Sequence, residues 1–167
     1  MKKDISAEMM KVQSETIDLC MEAAEAAGAD VDEVFVYLQS EDKTRSYDVF
    51  YRVKDKICTK EELRMPLGLI MDLMKEGNKD INRFRKLFKK ADRAIPTEIR
   101  MIYNAKNNHF AVRYGYEPLT APDGSSKAEC NFQAWLEETR QNGSSLEAWL
   151  EAIERRRQAQ AGEADRG

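Results

Sequence analysis

The chain has 167 residues and a formal net charge of −3, with 42% hydrophobic and 34% charged residues. This length suits one globular domain with a sizeable core, and no apolar run approaches the roughly 20 residues that a membrane helix needs. Three widely spaced cysteines and a start without an apolar segment argue against a disulfide framework, a membrane anchor and a secretory signal, so we expect a cytoplasmic protein.

Residues 6–27 are predicted to form the first helix, because apolar residues recur there at steps of three and four. Ser6 can cap the N-terminus of this helix, and Gly28 supplies its C-terminal stop. We therefore expect one buried face and one acidic face. The acidic face consists of Glu8, Glu15, Asp18, Glu22 and Glu25.

Two β-branched and aromatic runs follow, at residues 33–39 and 46–53, with the polar turn SEDKTR between them. The second run alternates, so that its apolar residues share one face while Asp48 and Arg52 share the other. The two runs predict an antiparallel hairpin.

The next segment begins with TKEEL, in which Thr59 and Glu62 have the spacing of a capping box. Pro66 either ends a short first turn or starts the main helix. Apolar residues then recur at helical spacing, and Gly77 with the following asparagine predicts a kink or break. The second helix is therefore expected over residues 66–93.

A second hairpin is predicted from two strand-like runs, at residues 98–104 and 109–117, joined by the turn AKNN. The single histidine of the chain, His109, begins the second run beside this turn. The even-numbered residues of that run share one face and are Phe110, Val112, Tyr114 and Tyr116.

A loop over residues 117–129 leads into two amphipathic C-terminal segments, which are separated by QNGS and anchored by Trp135 and Trp149. The element order is therefore α-β-β-α-β-β-α-α. We predict an α+β fold in which helices pack on a four-stranded antiparallel sheet.

This order also divides the chain. Residues 1–120 are expected to form the α+β domain, and residues 121–160 a helical extension packed on the same domain. Residues 161–167 are expected to be a disordered tail.

No motif for catalysis accompanies these elements. The chain lacks the GxSxG nucleophile elbow and the phosphate-binding loops GxxxxGK[ST] and GxGxxG. One histidine and scattered cysteines provide too few ligands for a zinc site. We therefore expect no enzymatic activity, no cofactor and no metal, and we interpret His109 as a surface residue. A reaction centre at His109 is the weaker alternative.

Charge is distributed unevenly along the chain. Residues 1–42 have a net charge of −8, residues 43–116 of +9 and residues 117–167 of −4. Such an uneven distribution of charge favours electrostatic steering of a charged partner.

The basic part of the chain includes a run of cations over residues 79–93 of the second helix. This run predicts, as an alternative function, a nucleic-acid-binding or regulatory surface, unless neighbouring acids neutralise it as the solvated face of a core helix. The cations are Lys79, Arg83, Arg85, Lys86, Lys89, Lys90 and Arg93.

The segments EVFVYLQSEDKTRSYDVFYRV and EIRMIYNAKNNHFAVRYGYEPL resemble the two hairpins of the YezG/EsaG-like family of bacterial immunity proteins, and the intervening helix is of the same kind. The resemblance covers residues 5–120, with Phe110, Tyr114 or Tyr116 and the closing EPL in corresponding places. The Asp-Gly turn of the family is NN here, and AIPTEI replaces its tryptophan before the third strand. The resemblance implies a non-enzymatic antitoxin that neutralises a secreted nuclease toxin by occlusion.

The partner implied by the resemblance is a cognate toxin domain with a basic cleft, which an acidic surface studded with aromatic residues would cover. We expect loop carboxylates and neighbouring tyrosines to make the contacts, and the helix carboxylates to serve solubility. Binding at the toxin's active site and binding elsewhere on it both stay open. The predicted partner-binding residues are Asp30, Asp32, Glu33, Glu41, Asp42, Asp48, Tyr114, Tyr116, Glu117 and Asp123.

Overall fold

The computed structural model describes residues 4–142 and 146–166, which form four helices and five strands. The helices and strands are, in chain order, α1 (Ser6–Ala26), β1 (Glu33–Ser40), β2 (Arg45–Val53), β3 (Lys56–Thr59), α2 (Leu67–Lys90), β4 (Glu98–Asn104), β5 (His109–Gly115), α3 (Ala128–Asn142) and α4 (Leu146–Arg166).

The strands form one antiparallel sheet in the order β3-β2-β1-β4-β5. The predicted α+β class is confirmed, but the predicted number of four strands is wrong because β3 adds a fifth. β3 is reached by a tight turn in which Lys54 has a φ of 57°. A glycine or asparagine at such a position is the usual sequence signal for a hairpin, and a lysine gives none.

The sheet separates two hydrophobic cores. Val34, Val36 and Leu38 of β1 pack in the core beneath α1 and α2. Phe35 and Tyr37 of the same strand pack in the core beneath α3 and α4. All eight residues of β1 are therefore buried, and the molecule has three layers.

The core beneath α3 and α4 is mainly aromatic. The rings of Phe35 and Phe50 stack with centroids 4.5 Å apart, and Trp135 meets Phe50 edge-on at 5.0 Å. Trp149 of α4 stacks on Trp135 at 5.7 Å. Because offset and edge-to-face rings add to the free energy of burial, this stack fixes α4 to the sheet.

The ends of α1 differ in part from the expectation. Ser6 does not cap the helix with its side chain; its backbone N–H instead donates to Asp4 Oδ1 at 2.9 Å. Gly28 is confirmed as the stop, with a φ of 79°. The N–H groups of Gly28 and Ala29 donate to the carbonyls of Glu25 and Ala24, which satisfies the last turn as in a Schellman motif.

The predicted break in α2 is wrong, because the helix is continuous through Gly77. Gly77 faces Tyr47, and a Cβ at this position would lie 2.5 Å from atoms of that ring. The glycine therefore permits a close approach between helix and sheet. The predicted capping box forms between Thr59 and Glu62, within a single turn that precedes Pro66 and the helix.

The C-terminal helix is longer than predicted, since α4 reaches Arg166 whereas the sequence predicted an end at residue 160. Gly167 and part of the predicted QNGS separator lie outside the described residues. Among the residues that are described, no helix is both long and apolar enough to span a membrane.

Candidate partner-binding site

The ten predicted partner-binding residues do not form one surface. Asp30, Asp32 and Glu33 lie where β1 begins, whereas Glu41 and Asp42 follow its last residue. At about 3.3 Å per residue, a strand of eight residues holds these two groups more than 20 Å apart. A single patch of loop acids is therefore absent from the described structure.

Glu33 and Asp48, two of the predicted acids, are at least partly buried and form ion pairs within the protein. Glu33 is buried, and its Oε1 lies 2.7 Å from Nε of Arg52. Asp48 Oδ1 lies 2.7 Å from Nζ of Lys60. Burial raises the pKa of Asp48, and its bonds to Lys60 offset only part of the rise. Both carboxylates are thus engaged in the fold.

Glu41, in the turn after β1, is hydrogen-bonded to the loop after β5. Its carboxylate accepts hydrogen bonds from the backbone N–H groups of Leu119 and Thr120, from the Thr120 hydroxyl and from Gln39. Burial acts to raise the pKa of Glu41, but these hydrogen bonds together lower it. Glu41 therefore has a structural role.

Three of the remaining predicted acids have local side-chain partners, and the first is Asp32, whose Oδ1 lies 3.6 Å from Nζ of Lys106. Asp42 forms an ion pair with Arg85, and Asp123 accepts hydrogen bonds from the backbone and hydroxyl of Ser125. Glu117 is exposed, and its carbonyl accepts a hydrogen bond from Thr97.

A different group of carboxylates converges between α1 and α2. We call the space between these helices, of about 330 Å³, the acidic groove. Leu19 and Arg83 complete its lining. Its carboxylates are Glu15, Asp18 and Glu22 of α1 with Glu76 and Asp80 of α2.

The floor of the acidic groove is hydrogen-bonded. Asp80 is 7% exposed, and its Oδ2 lies 3.1 Å from the Thr16 hydroxyl. Arg83 Nη1 lies 3.2 Å from Asp80 Oδ1 and 2.5 Å from Glu15 Oε2. Burial raises the pKa of Asp80, and the bonds from Thr16 and Arg83 counteract part of that rise.

The rim of the acidic groove carries Asp18 and Glu22, one turn apart on α1. Both side chains are exposed, and neither forms an ion pair with the described residues. These two acids belong to the helix face that the sequence assigned to solubility. Glu76 and Asp80 were missed altogether, and their only signal is a spacing of four residues, which places them on one helix face.

A second space, which we call the edge groove, lies between α1 and the outer strands β4 and β5 and measures about 350 Å³. The predicted residue Tyr114 lies near this groove, with its ring 5.5 Å from that of Phe88 and its hydroxyl 3.1 Å from Gln13. Tyr116 is 54% exposed. The edge groove is lined by residues that include Met10, Gln13, Ile17, Tyr103, Asn108 and Phe110.

Neither His109 nor the buried Cys20 lines the acidic groove or the edge groove. His109 is exposed at the start of β5, opposite Asn104 in the ladder. Cys20 is buried with its Sγ 2.7 Å from the Tyr47 hydroxyl, and burial raises the pKa of this thiol to about 12. Within the described ranges, no group of three or more His, Cys, Asp or Glu side chains is placed to hold a metal ion.

The basic run on α2 is largely neutralised. Lys86 and Lys89, together with Arg45 and Arg85, line a small groove of about 400 Å³. Four cations of the run form ion pairs with described residues: Lys79 with Glu76, Arg83 with Glu15, Arg85 with Asp42 and Lys90 with Glu8.

The fold and its surface define an α+β protein with a five-stranded antiparallel sheet between two helical layers and with charged and aromatic grooves around α1. Comparison of the sequence with known protein families finds no match, and comparison with curated proteins finds no significant match.

Proposed function

We propose that the chain is a cytoplasmic immunity protein that binds a cognate toxin domain, a nuclease, and neutralises it by occluding or distorting that domain. The observation that carries this proposal is the acidic groove, with Asp18 and Glu22 unpaired on its rim. The resemblance of the two hairpins to those of the YezG/EsaG-like immunity proteins supports it.

In this proposal the carboxylates of the acidic groove mimic the phosphates of the nuclease's substrate. A nuclease holds a polyphosphate chain in a basic cleft, and carboxylates on a rigid surface present charge of the same sign as phosphate. α1 and α2 are rigid, since they pack on the sheet and pair through Glu15 and Arg83. We therefore assign toxin binding to the helices and not to the loops, because Glu33, Glu41 and Asp48 are already bonded within the chain.

The first test is genomic: the reading frame next to this chain is expected to encode a secreted protein that ends in a nuclease-like domain. With that domain, the readouts are survival of cells that express it and the association rate and affinity of the purified pair. The double substitution Asp18→Lys with Glu22→Lys is expected to slow association by about 10- to 100-fold, because it inverts the steering field. High salt is expected to reduce the difference in association rate between the unaltered chain and the double variant, since salt screens exposed charges.

A matched control changes the same total charge on the opposite helical layer, with Glu129→Lys and Glu138→Lys on α3. This variant is expected to bind and protect as the unaltered chain does. If the unaltered chain neither binds the toxin at low salt nor protects cells, the immunity function is wrong. If only the α3 variant loses binding, the location at the acidic groove is wrong.

The basic groove of Arg45, Arg85, Lys86 and Lys89 favours a second candidate function, binding of nucleic acid. Affinity for duplex DNA or RNA that falls steeply with salt, and that Lys86→Glu with Lys89→Glu abolishes, would support it. Because four neighbouring cations are already paired with acids, we rank it below toxin binding.

A further inference from the structure

β5 forms an open edge of the sheet, and two of its four exposed side chains are large aromatic rings. It has seven residues, pairs with β4 on one side and has no described strand on the other. Phe110 and Tyr114 are each 36% exposed on the face towards α1. A long edge strand that exposes large apolar side chains is a template for pairing with another strand.

The other edge of the sheet is protected. β3 has only four residues, and its Ile57 carbonyl accepts a hydrogen bond from Arg140 of α3 at 3.4 Å. A short strand and a covering cation are common ways to prevent edge pairing. β5 is longer, and its one arginine, Arg113, lies over the Trp149 ring of α4 instead of over the outer backbone of the strand. This edge is therefore less protected than β3.

The ladder fixes which backbone groups of β5 face outwards. Ser40 N–H donates to Thr97 O, and Ala105 N–H donates to Asp32 O, so odd-numbered residues of β4 direct their backbone groups to β1. Residues of an antiparallel strand alternate sides. Even-numbered residues of β4 therefore bond the odd-numbered residues of β5. The outward N–H and C=O groups of β5 are those of Phe110, Val112 and Tyr114.

We propose that a second copy of this chain pairs with β5, antiparallel and about a two-fold axis at Val112, so that two five-stranded sheets become one of ten strands. In this register Phe110 of each copy lies opposite Tyr114 of the other, an aromatic pair of the kind that stabilises antiparallel strands. Arg113 lies opposite Ala111 of the other copy.

The two neighbouring registers are less favourable. A shift of two residues in one direction places Arg113 opposite the same arginine of the second copy, and like charges directly opposite are destabilising. The same shift in the other direction places Tyr114 opposite Asn108. The register centred on Val112 is therefore the one that the side chains favour.

The pairing also brings Tyr116 towards the edge groove of the second copy. Tyr116 follows β5 directly, and extension of the register by one residue beyond the strand pairs it with Asn108 of the other copy. Asn108 and Asp18 both line the edge groove. Asp18 also lines the acidic groove, so the two grooves are neighbours along α1.

Sedimentation velocity of the full chain over a concentration series tests this pairing. A dimer is expected to accumulate with concentration, and amide exchange at Phe110, Val112 and Tyr114 is expected to slow as it does. Val112→Pro removes an outward N–H that β4 does not use, so it is expected to abolish the dimer.

Tyr116→Glu provides a second variant that lies outside the strand and leaves the ladder intact. It is expected to weaken the dimer by at least about tenfold, because it removes the aromatic ring and brings a second carboxylate towards Asp18 in the edge groove. The control is Met71→Glu, an equally drastic change at a 63% exposed side chain of α2, which is expected to leave the dimer unchanged.

A chain that is monomeric at every concentration overturns the pairing, as does a dimer that both β5 variants leave intact. Protection of β5 that appears only when the toxin domain is added assigns the edge to that partner and also overturns the pairing with a second copy. Sedimentation and amide exchange of the chain alone need no toxin, so their failure is separate from failure of the immunity function.

Discussion

Gly77 sets how closely α2 approaches the sheet. Alanine has a helix propensity about 1 kcal/mol better than glycine, yet its Cβ would lie 2.5 Å from carbons of the buried Tyr47 ring. An overpacked core costs about 1–3 kcal/mol. Gly77→Ala is therefore expected to lower the free energy of unfolding by roughly 1–2 kcal/mol, as measured by urea denaturation.

Gly68 offers the matched control for this substitution, because it lies in the same helix and no atom lies within 4 Å of a Cβ placed there. Gly68→Ala is expected to raise stability by about 0.5 kcal/mol or to leave it unchanged. If both substitutions stabilise the protein, the close contact between α2 and Tyr47 is wrong.

Asp80 makes stability depend on pH. Because burial raises its pKa above the ordinary value of 3.8, the folded protein holds this proton more tightly than the unfolded chain does. Its contribution is therefore fully present below pH 3.8 and is lost as pH rises through the folded pKa. As the pH rises through the folded pKa of Asp80, the Asp80→Asn variant is therefore expected to become more stable relative to the unaltered chain.

Urea midpoints over a pH series measure the effect, with Asp72→Asn, an exposed acid of the same helix, as the control. Glu15, Arg83 and Thr16 face Asp80 and are unchanged in both variants. A stability difference between Asp80→Asn and the unaltered chain that is independent of pH would contradict the raised pKa.

At the scale of elements, Trp149 is the one buried residue among the described side chains of α4. Trp149 is 6% exposed and stacks on Trp135, and Arg113 lies 5.0 Å above its ring, whereas the other side chains described for this helix are exposed. Trp149→Ala is expected to remove about 3 kcal/mol from the docking of α4. Hydrogen exchange is then expected to accelerate in α4 but far less in β1.

Leu150→Ala on the same helix is the control for the anchor, since this side chain is 38% exposed and its loss is expected to cost less than about 1 kcal/mol. Equal protection of α4 in both variants would show that other contacts hold the helix.

Elements with a strong local pattern were predictable from the sequence. The helix predicted over residues 6–27 is Ser6–Ala26 in the structure, because hydrophobic periodicity and Gly28 are local signals. β3 was missed, since four residues are too short to show alternation. The break predicted at Gly77 was wrong, because the helix is continuous and the glycine is needed for its contact with Tyr47 across the core.

The candidate site was less predictable than the fold. The acidic groove exists because α1 and α2 pack side by side, and no local pattern states which helices are neighbours. Loop acids such as Glu41 and Asp48 were expected to face a partner, but both bond to other parts of the chain. Whether a charge is free depends on distant residues, which sequence spacing does not reveal.

At the scale of the whole molecule, β1 couples the two cores. Neighbouring residues of this strand face opposite helical layers, so removal of either core exposes the same backbone. Small domains of this kind generally unfold in one cooperative transition. A defect on one face is therefore expected to weaken both layers equally.

Val36→Ala tests this coupling, because Val36 is fully buried beneath α1 and α2 while both tryptophans of the chain lie beneath α3 and α4. The substitution is expected to cost roughly 2 kcal/mol. Tryptophan fluorescence and far-UV circular dichroism should report the same lowered urea midpoint. A fluorescence midpoint that stays at its original value while circular dichroism shifts would show that the two layers unfold independently.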